Sequence, residues 1–299
     1  MNVTNLKKQN KLHSIKDSPF YLLRGKGQFE KLLFIKWDFV DTLLAKTNTY
    51  RVFKTHTGRE IQNPLGEMKR IHKRIAGLLA RIQMPDYLTS KKQSSYIDNA
   101  KMHIGALKTV KTDISKFFPS TTFQMVYQMF LDVFQCAKDI AAKLAKICCF
   151  KQEHVPTGSH LSGSIAFFSA KKMFDQIEQI AITHNCILSV YVDDITISGD
   201  KANGELLWEV RRTIKNYGYS TGRKKSKVYH ESQAKTITGV IVQKSNLLLP
   251  NKRHKKIWET ANEHMQSQDR NQKQRMKNKL DGMLREAQQI TQVSVPTVS

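Results

Sequence analysis

Apolar and polar positions follow two periods along this chain, and the changes of period mark its elements. FEKLLFIKWDFVDTLLAKT, beginning at Phe29, keeps apolar residues at helical spacing. YRVFKTHTGREIQNP (50–64) predicts two short strands around a polar, glycine-containing turn, closed by Pro64. LGEMKRIHKRIAGLLARI (65–82) returns to helical spacing with a basic opposite face. LKTVKTDISKFF (107–118) reads as a strand entering a turn, with Pro119 and Ser120 opening the next helix, and 121–150 as two helices ending in ICCF. The Gly/Ser-rich loop that opens residues 155–181 feeds one long helix. Ile187–Val192 and Ile195–Ser198 are β-branched runs of strand length, 205–218 is an amphipathic helix, and 227–243 predicts two strands around a polar turn. Residues 244–299 are helical in pattern, with basic clusters NKRHKK and RNQKQRMKNK and a loose tail, VSVPTVS. Helices and strands mix without strict βαβ alternation, which predicts an α+β fold with helices on one face of a sheet.

The 299 residues allow two or three packed subdomains, and 40% hydrophobic and 25% charged residues are ordinary. The charge balance is not: 49 Lys and Arg against 25 Asp and Glu give 49 − 25 = +24. That excess favours a polyanion partner, nucleic acid ahead of an anionic membrane surface. No apolar run approaches the roughly 20 residues of a membrane span, and MNVTNLKKQNKLHS lacks the apolar stretch of a signal peptide. Cys136, Cys148, Cys149 and Cys186 show neither C-x-x-C spacing nor a paired histidine cluster. A reduced, cytoplasmic compartment with no membrane association is the expectation.

The candidate chemistry lies in ILSVYVDDITISGD (187–200). Asp193 and Asp194 are adjacent like charges at a tight bend. Aspartate is a good turn former, but a type I′ turn favours Asn-Gly or Asp-Gly over Asp-Asp. A second carboxylate, Asp113 in KTDISKFFPS, sits at a strand end far upstream, with the Gly/Ser loop and long helix between them. Converging carboxylates bind magnesium, with substrate phosphates completing the coordination. Two ions about 3.5–4 Å apart activate an attacking hydroxyl and stabilise a leaving oxygen. Bound cations also neutralise the clustered charge.

These residues resemble a reverse transcriptase, more narrowly those of bacterial retrons. YVDD (Tyr191–Asp194) resembles the family's Y-x-D-D hairpin and DISKFF its upstream aspartate motif. NAKMH (Asn99–His103) and ITGV (Ile237–Val240) resemble the N-A-x-x-H and V-T-G elements of retron enzymes, and the likeness covers nearly the whole chain. It implies a right-hand polymerase fold: fingers and palm over 1–243, with an antiparallel palm sheet carrying the hairpin, and a basic helical thumb over 244–299 that binds RNA and duplex.

The site residues follow from the same likeness. Asp113, Asp193 and Asp194 would hold two Mg²⁺ ions, and Tyr191 and Val192 would seat the primer end. Lys54 and Arg59 would grip the incoming triphosphate. Phe118 would be the steric gate against a ribose 2′-OH, with Phe117 beside it in the core. Lys225, in a basic run with Arg223, Lys224 and Lys227, would protonate pyrophosphate. Gly158 belongs to the loop supporting template and nucleotide base. There the family's P-Q-G and Ser-Pro stand as Pro156-Thr157-Gly158 and Ser162-Gly163, which puts fidelity, rate or template geometry in question. Asn99, His103, Thr238, Gly239, Lys252, Arg253, Lys255 and Lys256 would contact RNA.

The resemblance further implies a structured noncoding RNA as template and primer, a guanosine 2′-OH as priming group, dNTPs as substrates, and a branched RNA–DNA product (msDNA). It also implies a role in antiphage defence and an effector on a separate chain. The rivals are a group II intron-like or defence-associated reverse transcriptase, an RNA-dependent RNA polymerase, and a non-catalytic RNA-binding scaffold.

Overall fold

Nine strands in three antiparallel sheets, with helices between them, make up the described residues, 12–105, 108–222 and 225–293 of this computed structural model. The loose tail expected at the C-terminus falls almost wholly outside them, as do Arg223 and Lys224. The chain forms two compact units.

The first unit comprises residues up to Pro85, Ser115–Asp175 and Asn216–Tyr219. Strands β1 (Tyr50–Lys54) and β2 (Glu60–Pro64) pair as the alternation predicts, from Tyr50 opposite Pro64 to Lys54 opposite Glu60. Phe20, Phe130, Phe134 and Phe168 pack in its core with ring centroids 5.4–6.0 Å apart. Each buried ring contributes about 1.5–3 kcal/mol of apolar burial. Three expected elements differ. The helical run from Phe29 divides into helices Lys26–Leu33 and Trp37–Ala45, because Phe34 takes φ 56°. Arg74 donates to the Leu32 carbonyl at 2.9 Å and Arg70 to that of Phe34 at 3.1 Å, so the early helix end leaves these carbonyls partnered. Pro119 and Ser120 close a short helix, Phe117–Ser120, and the next starts at Phe123, where the Thr122 hydroxyl accepts the Met125 N–H. The long helix expected within 155–181 is two, Ser162–Ser169 and Lys171–Thr183.

The second unit comprises Asp86–Ile114, Gln176–Lys215 and the residues from Ser220 onward. Its main sheet runs β4-β5-β3-β6, with β3 Thr109–Asp113, β4 Ile187–Tyr191, β5 Asp194–Ser198 and β6 Lys227–Tyr229. Val110, Leu188, Val190, Ile195 and Ile197 are buried on one face. The opposite face carries hydroxyls, because cross-strand partners share a face: Thr109 opposes Ser198, and Thr196 opposes Ser189.

The strand pair expected over 227–243 is differently built. Lys227–Tyr229 joins the main sheet beside β3, while β7 (Lys235–Ile237) turns directly into β8 (Val240–Val242), which pairs with β9 (Leu247–Leu248). Thr238 and Gly239 form the bend with φ 44° and 81°, the positive pair of a type I′ turn. Helices Asn251–Gln266 and Arg270–Thr291 follow. Ile290 and Leu249 share one apolar core with Ile97, Ala100, Ile237, Val240 and Val242. No compact-unit boundary therefore falls at the expected 243/244 division, since the C-terminal helix is rooted in a core that the preceding sheet helps to build.

Candidate active site

Register brings the aspartates together. Asp113, the last residue of β3, opposes Asp194, the first of β5, and Asp194 opposes Tyr191 of β4. The two-residue bend is therefore Val192-Asp193, not Asp193-Asp194. Val192 has φ 61° and Asp193 is not among the positive-φ residues. That is the φ pattern of a II′ turn, whose first central position normally holds glycine. A β-branched residue there stores about 1–3 kcal/mol of strain. The turn is pinned from two sides: Ile114 N–H donates to the Asp193 carbonyl at 2.9 Å, and Ser90 Oγ accepts the Val192 N–H at 3.2 Å.

Like charges raise the energy of this rim. Burial pushes the Asp193 carboxyl pKa up, and the Asp194 and Asp113 charges add to the rise; its own backbone N–H and Lys225 oppose it. Lys111 Nζ reaches Asp194 Oδ2 at 3.4 Å. Lys225 Nζ donates to Asp113 Oδ2 at 2.6 Å, and this bond, above all, raises the lysine pKa. Asp113 is buried, and among the described residues its Oδ1 has no hydrogen-bond partner. The backbone of Gly222 comes so close that a Cβ there would lie 2.7 Å from that oxygen. Among the described residues no group of three or more acidic, imidazole or thiolate side chains is gathered closely enough to hold a metal ion. Magnesium does not require such a group: it is held by one or two carboxylates with phosphate oxygens and water. A buried, unpaired carboxylate oxygen beside a second carboxylate suits such an open site.

Asn99 and His103 are placed otherwise than expected. Both are fully buried, so neither offers its side chain to RNA. Asn99 Oδ1 accepts from Thr89 Oγ1 at 2.6 Å and its Nδ2 donates to Thr238 Oγ1 at 3.3 Å. The N-A-x-x-H and I-T-G elements thus meet in one joint. His103 lies between serines of both hairpin strands, with Nδ1 2.6 Å from Ser198 Oγ and Nε2 2.7 Å from Ser189 Oγ. Burial pushes its pKa down to about 3, so the ring is neutral. Thr238 hydrogen-bonds the Tyr96 carbonyl at 2.8 Å and is half-buried, as is Gly239. Arg253 is also committed internally: it bonds Tyr96 Oη at 3.0 Å and pairs with Glu286, which Tyr96 also contacts. Lys252, Lys255 and Lys256 remain on the exposed side of their helix, Lys255 3.9 Å from Glu259.

The other site residues belong to the first unit. Lys54 and Arg59 flank the β1–β2 turn, exposed and without an ion pair among the described residues. Phe117 is buried against Phe174 and Tyr219, while Phe118 is only half-buried. A Cβ on Gly158 would lie 2.7 Å from Ile61 Cγ2 and 2.9 Å from the Gln62 carbonyl, so the loop needs glycine to lie on β2. Gln62 accepts the Thr157 N–H at 2.8 Å, and Ser159 bonds Nδ1 of buried His72 at 2.7 Å. The His72 Nε2 faces the Ile147 carbonyl at 2.8 Å and must carry the hydrogen, so Nδ1 accepts from Ser159. A Cβ on Gly163 would meet nothing within 4 Å among the described residues, so no close approach explains glycine there. Thr89, Ser90 and Gly222 carry no motif in the sequence; only the glycine ahead of a basic run hints at close approach.

Residues 44–247 match the reverse transcriptase (RNA-dependent DNA polymerase) family, a span that includes the three aspartates and the hairpin. The chain belongs to that family. A right-hand polymerase fold goes with the family, and the antiparallel sheets among helices accord with it. The chain is 25% identical to the retron Se72 reverse transcriptase of Salmonella heidelberg over 214 residues, 65% of this chain and 55% of that one. It is 26% identical to the retron Ec86 reverse transcriptase of Escherichia coli over 172 residues, 56% of this chain and 52% of the other. The retron Ec48 reverse transcriptase, also of E. coli, matches at 26% over 176 residues, 58% and 43% of the two chains. The retron resemblance read from the motifs is thereby borne out. The chain spans about half the length of the curated relatives it matches. Among the described residues no helix is long and apolar enough to cross a membrane.

Proposed function

We propose that the chain is an RNA-directed DNA polymerase of retron type. The observation that carries this reading is the convergence of Asp113, Asp193 and Asp194 at a strained Y-V-D-D turn, with a buried carboxylate oxygen that has no partner among the described residues. In this reading the β4-β5-β3-β6 sheet is the palm, the β1–β2 hairpin belongs to the fingers, and the helices Asn251–Gln266 and Arg270–Thr291 form the thumb. Asp113, Asp193 and Asp194 hold two Mg²⁺ ions. Magnesium, when bound, supplies the positive charge that activates the attacking hydroxyl and offsets charge on the leaving oxygen. Tyr191 and Val192 seat the primer end. Lys54 and Arg59 hold the triphosphate, and their freedom from ion pairs supports that role. Phe118 excludes the ribose 2′-OH, and Gly158 lets the template loop lie against β2. Lys225, kept protonated beside Asp113, is in the form a general acid for pyrophosphate requires.

The substrates are dNTPs and the template a structured noncoding RNA bound through phosphate contacts, with Lys252, Lys255 and Lys256 on the exposed helix face. Thr238 and Gly239 act at the rim of the RNA surface. Priming from a guanosine 2′-OH, a branched RNA–DNA product, a cytoplasmic location, antiphage defence and a separate effector complete the reading. The test is purification of the full chain with its co-expressed nucleic acid. DNase-sensitive DNA covalently joined to RNase-sensitive RNA is the expected result. RNA without DNA would favour a scaffold, and unbranched cDNA another class of reverse transcriptase.

A further inference from the structure

The segment before the N-A-x-x-H element runs along the outer edge of β4. Leu88 bridges Val190 in the parallel sense, Val190 N–H donates to the Tyr87 carbonyl at 2.7 Å, and Thr89 N–H donates to the Val190 carbonyl at 2.9 Å. One residue further, Ser90 Oγ accepts the Val192 N–H at 3.2 Å. These contacts end at the one hairpin residue held at φ 61°. Valine leaves that conformation unless its surroundings fix it. The hairpin's ladder runs from Ile187 opposite Ser198 to Tyr191 opposite Asp194 and stops short of Val192. Its N–H lies outside the ladder, and Ser90 is its partner.

We propose that residues 87–90 form a brace for the Y-V-D-D turn, with Ser90 and Asn99 as its positioning residues. Ser90 fixes Val192, and hence the direction of the adjoining Asp193 carboxylate. Asn99 fixes Thr89: it is fully buried, its Oδ1 accepts from the Thr89 hydroxyl, and its Nδ2 is committed to Thr238. The amide thus has no spare freedom, and the Thr89 rung on Val190 is locked from behind. His103 holds the other end of the same two strands through Ser189 and Ser198. The inference rests on the proposed role of the aspartates and adds the device that aims one of them. Reacting groups need sub-ångström placement, so a loosened turn is expected to slow chemistry more than binding.

The experiment uses the full chain with Ser90→Ala, Ser90→Thr and Asn99→Ala, read by amide hydrogen exchange in the 188–196 hairpin and by steady-state primer extension. In Ser90→Ala, exchange at Val192 should rise about tenfold while the melting temperature holds. kcat should fall about tenfold with the KM for dNTP within about twofold. Ser90→Thr, which keeps the hydroxyl, should restore both. Asn99→Ala should extend the faster exchange to Thr89 and Val190. Unchanged hairpin exchange or unchanged kcat in a folded Ser90→Ala overturns the brace, as does a kcat loss matched by the KM. Faster exchange in a chain whose wild type makes no DNA would support the brace and overturn the polymerase reading.

Discussion

Asn99 and Asp113 are buried polar residues of the same unit, and they are treated in opposite ways. Both ends of the Asn99 amide are hydrogen-bonded, and both ring nitrogens of His103 meet serine hydroxyls. One Asp113 oxygen is paired and the other has no partner among the described residues, and Asp193 beside it is pushed toward protonation by burial and by its neighbours' charge. Buried polar groups are normally satisfied, so an unsatisfied one needs a reason. The first cluster is framework, closed and neutral. The second is left short of positive charge, as a cation-binding site must be. The Thr109 and Thr196 hydroxyls, also without partners among the described residues, stand opposite Ser198 and Ser189 of the first cluster, so the contrast between the clusters is one of charge rather than of complete pairing.

Asp193→Asn probes the contrast hardest. DNA synthesis should fall by about a thousandfold or more, since a charged ligand is lost. The same variant should melt higher than wild type, because it removes a carboxylate whose charge the fold disfavours. His103→Ala should do the reverse, lowering the unfolding free energy by about 3 kcal/mol in a denaturant titration, because it opens a cavity and strands two serines. Equal stability effects from the two would erase the distinction.

Acid should find the framework first. His103, held down to about 3, and His72, held down to about 4, are neutral when folded, whereas the unfolded chain binds protons below about 6.5. Their contribution is full above about pH 6.5 and is lost as pH falls toward 4 and 3. Between pH 7.5 and 5 the loss should be about 2 kcal/mol per histidine, and His103→Gln should remove its share of the slope in melts across that range. The smallest effect is expected from Gly222→Ala. Its methyl group would crowd Asp113 Oδ1, slowing synthesis about tenfold with little change in melting temperature.

Much of this was legible in the sequence. The motif order around Asp113 and Tyr191–Asp194 pointed to the carboxylate set, and apolar periodicity placed most helices and strands. The bend itself was not legible, because turn rules do not put a β-branched Val192 at positive φ. The fates of Asn99 and His103 were hidden for another reason: asparagine is mostly exposed in proteins and histidine only intermediate, so residue type pointed away from full burial. The Thr238-Gly239 turn was overlooked because the longer polar stretch 230–234 resembles a loop more than a two-residue bend does. Phe34 ended its helix through arginine contacts formed only in the tertiary structure.

The most direct test of the central claim is primer extension by wild type and Asp113→Asn on an RNA template with an annealed DNA primer, dNTPs and Mg²⁺, with RNA binding measured in the same samples. Wild type should extend the primer, the variant should not, and both should bind RNA equally. Extension by Asp113→Asn at the wild-type rate would contradict that claim.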